Sequence, residues 1–427
     1  MSKSVIIIFV SLFIAGGSAF SQIPNSAYIV NTLGENLSRI NIDDQNVTAD
    51  AATLGLFTNQ VVVHGDRAYV VNSGANEIQV IELATMNTTQ NIPTGQGTNP
   101  WAIEFVNDSL AAISLLFTNQ VLFVNMNTEE TVETITVGSG PEGMKYHDGR
   151  LYVANSGFVY PAFEPGTVSV IRMDDFTVST ITVGTNPQAL ALDSQGNIIV
   201  ACSGNFADIS GEVDVIDTSA DTLLHAESLN STITFVAVDG NDQAYLSTFG
   251  AGVLVYDIPG RSLILDENNS LPGGPGLAID SEDNVYVGDF NTDTISVYSS
   301  SQVLLNAYLV GDGPISISLF ENTPTAISPL GNTIPEAITL YQNYPNPFNP
   351  ETTLRFDIQE AGEVSLSIFN TLGEKVAAPV NEFLPAGAYE IKWNATDYNG
   401  HKLPSGVYFY QLEADNASTV KKMSLIR

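Results

Sequence analysis

The side chains in this 427-residue chain that could do chemistry are few and scattered. The four histidines, His64, His147, His225 and His401, share no metal-ligand spacing, and no Ser/His/Asp arrangement can be placed among them. The acidic stretches at 193–197, 239–242 and 281–284 lack the alternating carboxylates and terminal Glu of a calcium loop, so they read as hairpin turns. No catalytic residue, metal site or cofactor is assigned. Four G-x-x-P joints run from Gly97, Gly138, Gly184 and Gly311 to Pro100, Pro141, Pro187 and Pro314. Just after the joint positions come Trp101, Glu142, Gln188, Gly276 and Ile315, of which Glu142 alone is ionisable. Three residues further on, Glu104 and Lys145 could pair across neighbouring units as a structural contact. The other candidate chemistry is stacking. Phe117, Phe158, Tyr160, Phe163, Phe206, Phe249 and Phe290 recur in loops at comparable places, and aromatic rings there could hold sugars or peptide side chains.

The elements that must position these groups repeat. A short apolar strand appears as AYIVN, AYVVN, LAAIS, LYVAN, IIVAC, AYLST and VYVGD, with its second residue at Tyr28, Tyr69, Ala111, Tyr152, Ile199, Tyr245 and Tyr286. A second strand rich in β-branched residues follows each time, as in VSVIRM and VDVIDT. Seven such units of about 40–45 residues, each with room for four strands, predict a seven-bladed β-propeller. The first unit starts at its second strand, and GDGPISISLF (311–320) is left over after the last. That orphan is expected to complete the first blade and close the ring. Cys202 takes the slot that elsewhere holds Asn31, Asn72, Asn155, Ser114, Thr248 and Asp289, so it reads as a buried structural thiol. As the single cysteine, it excludes an intramolecular disulfide.

The units resemble the YVTN family of β-propellers, on V-G-x-x-P at 183–187, Y-V-A-N at 152–155 and V-x-V-I-D at 213–217. In that family's geometry, the loops after the repeated strand share a face with the joints. The resemblance thus implies a rim formed by Phe158, Tyr160, Phe163, Phe206, Phe249 and Phe290, with Trp101 near the channel mouth. It implies a fold and leaves activity open, since propellers host unrelated functions.

Both ends carry transport signals. Lys3, the apolar run from Val5 to Ala15 and the small-residue stretch ending at Ser21 read as a signal peptide over 1–21, with Gln22 as the new N-terminus. Residues 22–320 are the expected propeller and 321–337 a Pro-rich linker. Beyond 338, TLRFDI, EVSLSIFN, GAYEIKWN and GVYFYQLEA alternate as strands of a small Ig-like antiparallel β-sandwich, with Phe356 and Trp393 in its core. YQNYPNPFNPETTLRF, VSLSIFNTLGEKV, AGAYEIKWNATDYNGHKLPSGVYFYQLEA and KKMSLIR resemble the C-terminal sorting domain of the type IX secretion system. That resemblance implies passage through Sec and the periplasm of a Gram-negative bacterium. It also implies the type IX secretion machinery as partner through 338–427, and Lys421, Lys422 and Met423 in a terminal recognition strand.

The charge distribution supports the division. Residues 22–323 carry 36 acidic and 6 basic side chains, against 10 and 7 in 338–427. The formal net charge of −33 argues against nucleic acid and anionic membranes, and favours solubility or divalent-cation binding. No transmembrane segment is expected in the mature chain. The function these readings favour is non-catalytic binding of a glycan or protein outside the cell. A channel-centred enzyme, lactonase- or lyase-like, and a structural or adhesive surface protein are the alternatives.

Overall fold

The computed structural model describes residues 23–159, 162–248, 250–321, 328–329, 338–359, 362–373, 375–384, 386–397, 402–414 and 417–426. Ser21, Gln22, Tyr160, Phe249 and His401 lie outside them. The fold is all-β and built of repeated four-stranded antiparallel sheets. Residues 26–320 supply seven among the described residues. Their first strands are Pro314–Phe320, Thr58–His64, Pro100–Phe105, Pro141–His147, Pro187–Leu192, Ile233–Val238 and Leu277–Ile279. Their second strands are Ser26–Asn31, Arg67–Asn72, Leu110–Leu115, Arg150–Asn155, Ile198–Cys202, Gln243–Thr248 and Val285–Asp289. Each second strand holds one copy of the repeated apolar pentad. The orphan strand pairs as expected, with Ser26 opposite Phe320 and Asn31 opposite Pro314.

Burial explains why the pentads are mainly apolar instead of alternating. Ser26–Asn31 and Ile198–Cys202 are buried at every position, whereas an outermost strand such as Thr131–Thr136 is exposed at nearly every one. A second strand is covered on both faces by neighbouring sheets, so both sets of side chains are mostly apolar, and buried polar ones such as Asn31 and Asn155 are hydrogen-bonded. The buried clusters lie between consecutive sheets. Tyr69 and Val71 of the second sheet pack with Ile113 and Leu115 of the third. Tyr286 and Ile295 of the seventh pack with Ala27 and Ile29 of the first. Each fully buried large apolar side chain contributes about 1.5–3 kcal/mol. The first strands also touch in succession around all seven sheets, and Leu277–Ile279 meets Pro314–Phe320.

In three of the sheets, side chains from the preceding sheet satisfy amides on the open edge of the first strand. The Val61 and Val63 amides donate to Ser316 Oγ and Ser318 Oγ at 3.1 and 2.9 Å. The Ile103 amide donates to Gln60 Oε1 at 2.7 Å, and the Tyr146 amide to Glu104 Oε1 at 3.1 Å. An unpaired buried amide costs as much as a lost hydrogen bond, so this belt removes the penalty of an open edge.

The C-terminal segment forms two further four-stranded sheets. One orders Ser328–Pro329, Gly387–Trp393, Thr352–Ile358 and Thr339–Leu340; the other orders Lys375–Leu384, Gly362–Phe369, Gly406–Ala414 and Ala417–Leu425. They share one buried cluster that includes Phe356 and Trp393. Ser328 and Pro329, expected in a linker without strand pattern, pair with Glu390 and Tyr389.

Candidate ligand-binding face

In most of the seven sheets the loop after the second strand is tied to the joint before the first. The Thr32 amide donates to the Gly313 carbonyl, Gly74 to Leu56, Phe117 to Thr98, Gly157 to Ser139 and Gly204 to Thr185, at 2.9–3.2 Å. These loops and joints therefore share one face. The joints turn through left-handed backbone at Phe57, Asn99, Gly140, Asn186 and Gly313. At Gly140 a side chain would meet Ser156 Oγ, so glycine is required there for space as well as for conformation.

On this face stands a cluster of three aromatic rings from two neighbouring sheets. Phe158–Val159 and Ala162–Phe163 form a two-stranded ribbon with Phe158 opposite Phe163. The Phe158 and Phe163 rings are 5.2 Å apart between centroids, and Phe163 and Phe206 are 6.0 Å apart. Such spacings are those of interacting aromatic pairs. Phe158 is 51% exposed and Phe206 56%, with Val159 and Ile209 beside them in the chain also open to solvent. The Phe206 loop is held from within. Asn205 Oδ1 accepts from the amides of Ala207, Asp208 and Ile209 at 2.8–3.0 Å, and Asn205 Nδ2 donates to Asp208 Oδ1. Phe206 itself has φ 60°, a conformation uncommon for a bulky side chain.

The other sequence-derived candidates are placed differently. Phe290 is partly buried against the joint at Gly313, near Leu33. Trp101 is also partly buried and packs on the cluster containing Met144 and Val153, apart from the three-ring group. Lys422 is exposed, Lys421 partly so, and Met423 is fully buried. Sequence reasoning missed Leu33, Leu56 and Phe57, all exposed on the joint face. Leu33 escaped a search for aromatics. Leu56 and Phe57 lie within Gly55-Leu56-Phe57-Thr58, a joint in which Thr58 takes the place of the proline that marks the four G-x-x-P joints.

The buried ionisable groups are structural in their surroundings. Glu104 and Lys145 do pair, at 3.2 Å. Glu142 is buried, and that burial pushes its carboxyl up to about 8 despite a hydrogen bond with Ser156. Its backbone carbonyl accepts from Ser114 Oγ at 2.7 Å. Asp214 is fully buried; burial raises it to about 7, opposed by the Gly184 amide that donates to it at 2.7 Å. The Cys202 thiol lies against it, with Sγ 3.9 Å from Asp214 Oδ2. Among the described residues, no group of three or more His, Cys, Asp and Glu side chains gathers to hold a metal ion.

Near the C-terminus, residues 342–426 match the family described as the secretion system C-terminal sorting domain. They are a type IX secretion sorting domain. The protein is thus exported by the type IX pathway of certain Gram-negative bacteria, as a secreted or cell-surface protein. Among the described residues no helix is long and apolar enough to cross a membrane. No curated protein matches the chain. Solved structures resemble a large part of the chain. Hydrazine synthase of Kuenenia stuttgartiensis aligns at 16% identity with TM-score 0.52, covering 61% of this chain and 89% of that one. Apo AztD of Citrobacter koseri aligns at 11% identity with TM-score 0.50, covering 70% and 98%. A streptogramin B lyase aligns at 9% identity with TM-score 0.52, covering 69% and 91%. At such identities the likeness is one of fold, and the differing names of these proteins show how little it says about activity.

Proposed function

We propose that the seven sheets are the blades of a closed seven-bladed β-propeller of the YVTN type, followed by an Ig-like sandwich, and that its joint face binds a ligand outside the cell. Support for the ring comes from the buried clusters shared by consecutive sheets, the last with the first. Support for binding comes chiefly from the Phe158–Phe163–Phe206 cluster. Large apolar side chains held open to water on a fixed loop bring the fold little stability, and a bulky residue in left-handed backbone costs on the order of 1–3 kcal/mol. A rigid aromatic platform does favour binding, because little entropy is lost when a ligand stacks on it. The ligand is a glycan or a protein segment that offers an apolar face, neutral or cationic given the acidity of residues 22–323. The test is the triple variant F158A/F163A/F206A, assayed on panels of surface glycans and of apolar peptides. Binding by the wild type and loss in the variant, with unchanged melting, is the expected result. Binding that survives all three substitutions would sink the assignment.

A further inference from the structure

The three rings of the joint face stand at one seam between two sheets. Phe163 is partly buried, and the more exposed Phe158 and Phe206 are tilted from it by 55° and 52°. The segments that carry the rings are both tied to the joint at 183–187. The Val183 amide donates to the Gly166 carbonyl, and the Gly204 amide to the Thr185 carbonyl, each at 3.0 Å. A side chain at Gly166 would strike Gly184 and Pro187, so the backbone after Phe163 runs directly against that joint.

The charge at this seam has one sign. Residues 155–167, 183–188 and 203–212 contain Glu164, Asp208 and Glu212 and no Lys, Arg or His. Glu164 directly follows Phe163. Asp208 sits in the Phe206 loop, its Oδ1 accepting from Asn205 Nδ2 at 2.7 Å. Glu212 lies against Gly184 of the joint. Glu164 and Asp208 are exposed, and Glu212 is half-buried. The Lys and Arg side chains of the two sheets are Lys145, Arg150 and Arg172, and each already faces a carboxylate elsewhere, on Glu104, Asp221 and Asp174. Arg150 and Arg172 stand opposite each other at the far end of the strand pair that opens at Asn155 and Thr167. Among the described residues, no ion pair joins a basic side chain to Glu164, Asp208 or Glu212.

The face of an aromatic ring attracts a cation through its quadrupole, and carboxylates beside it add a charge that the fold leaves unneutralised. A neutral sugar would use the rings and leave the carboxylates idle. A guanidinium uses both, because it is planar, weakly hydrated, stacks on aromatic faces and offers paired N–H donors to a carboxylate. A lysine ammonium is more strongly hydrated and cannot stack flat. We propose that the ligand of this face is a protein segment that places an arginine side chain on Phe158, Phe163 and Phe206, with its guanidinium directed to Glu164 and Asp208. The proposal rests on the reading of the joint face as a binding face and adds the chemistry that the face selects.

The test titrates the full chain with the peptide Gly-Ser-Arg-Ser-Gly and with versions that carry lysine or citrulline at the centre, citrulline being neutral and close to arginine in shape. The expected result is that the arginine peptide binds at least about tenfold more tightly than the citrulline one, with lysine between them. The variant F158A/F163A/F206A keeps every charge and should lose the arginine peptide. The variant E164Q/D208N changes two exposed side chains, keeps the rings, and should bring arginine down to the level of citrulline. Equal binding of arginine and citrulline overturns the arginine assignment and leaves the platform standing as an apolar one. Arginine binding that survives either variant overturns it as well, since overall negative charge or the rings alone would then account for the affinity. If no peptide binds, the assignment falls. Capture of a neutral glycan by the wild type then keeps the joint face as a binding face, and failure to capture any takes that reading down too.

Discussion

Lys145 Nζ lies 3.2 Å from Glu104 Oε1, and the same oxygen accepts the Tyr146 amide at 3.1 Å. The pair joins two neighbouring sheets, with both side chains largely shielded from water. The two partners are not equivalent. Removing Glu104 leaves a shielded amide and a shielded ammonium unpaired, at a cost of about 1–3 kcal/mol. Removing Lys145 leaves a carboxylate that still holds an amide, so the loss is the smaller one of a partly exposed ion pair, about 1 kcal/mol or less. Urea denaturation should rank the variants E104A, then E104Q, then K145A, from least to most stable. If E104Q is as damaging as E104A, the charge matters and the belt hydrogen bond does not.

Glu142 makes stability depend on pH in a direction opposite to that of a carboxylate whose ionised form is paired or hydrogen-bonded in the fold. Its ordinary value of 4.5 is raised to about 8 by burial. Below about pH 4.5 the carboxyl is protonated in both states and the burial carries no charge penalty. As pH rises from there to about 8, the unfolded chain ionises while the folded one holds its proton, so stability falls through that window. Asp214, raised to about 7, acts in the same sense. Glu142→Gln should therefore melt higher than the wild type at pH 8 and close to it at pH 4.5. Calorimetry at the two pH values checks this, and an equal shift at both would show that packing, and not ionisation, sets the effect.

Cys202 should be chemically silent in the folded protein. It is fully buried, and burial, together with the nearby Asp214 and Glu212 carboxylates, holds its thiol well above the usual range. The thiolate is the reactive form, so both access and ionisation are suppressed. A thiol reagent such as DTNB should leave the native protein unlabelled over hours and label one thiol per chain in denaturant. Rapid labelling without denaturant would contradict the packing around residues 198–202.

What the sequence disclosed follows from where periodic constraint is strong. The pentads from AYIVN to VYVGD are buried on both faces, and so each keeps an apolar run that can be counted along the chain. Pro314–Phe320 was legible as an orphan because every other unit supplied its own first strand. The belt of Ser316, Ser318, Gln60 and Glu104 was mostly hidden, since a side chain accepting from the next sheet leaves no local signal. The candidate face was half legible. Phe158, Phe163 and Phe206 share a loop position, but their meeting depends on the packing of two sheets. Trp101 carried a strong chemical type and a position near the joint, yet it packs against the apolar cluster between two neighbouring sheets. Glu142 was visible as an ionisable residue after a joint, whereas its burial was not.

The proline-rich segment before Thr352–Ile358 is as ordered in its hydrogen bonds as a strand. Asn343 is buried, its amide donating to Tyr410 Oη at 2.8 Å and its Nδ2 to Pro345 and Thr352. Tyr344 exchanges backbone hydrogen bonds with Thr353. This framework lets Asn346 reach the Ser424 amide and lets Phe348 bond the backbone on both sides of Leu425. The two bonds can be separated. Asn346→Ala removes the acceptor for Ser424 and leaves the backbone contacts of Phe348 in place, so the loss should be about 0.5–1.5 kcal/mol of local protection. Hydrogen exchange at Ser424 should speed up several-fold, while Ile426, held by the Phe348 carbonyl, exchanges as before. If Ile426 speeds up equally, segment 342–348 is released as a unit, and Asn346 is the residue on which its attachment depends. If neither amide changes, the side chain of Asn346 contributes nothing to that attachment, and backbone pairing alone keeps segment 342–348 on the edge of the terminal strand.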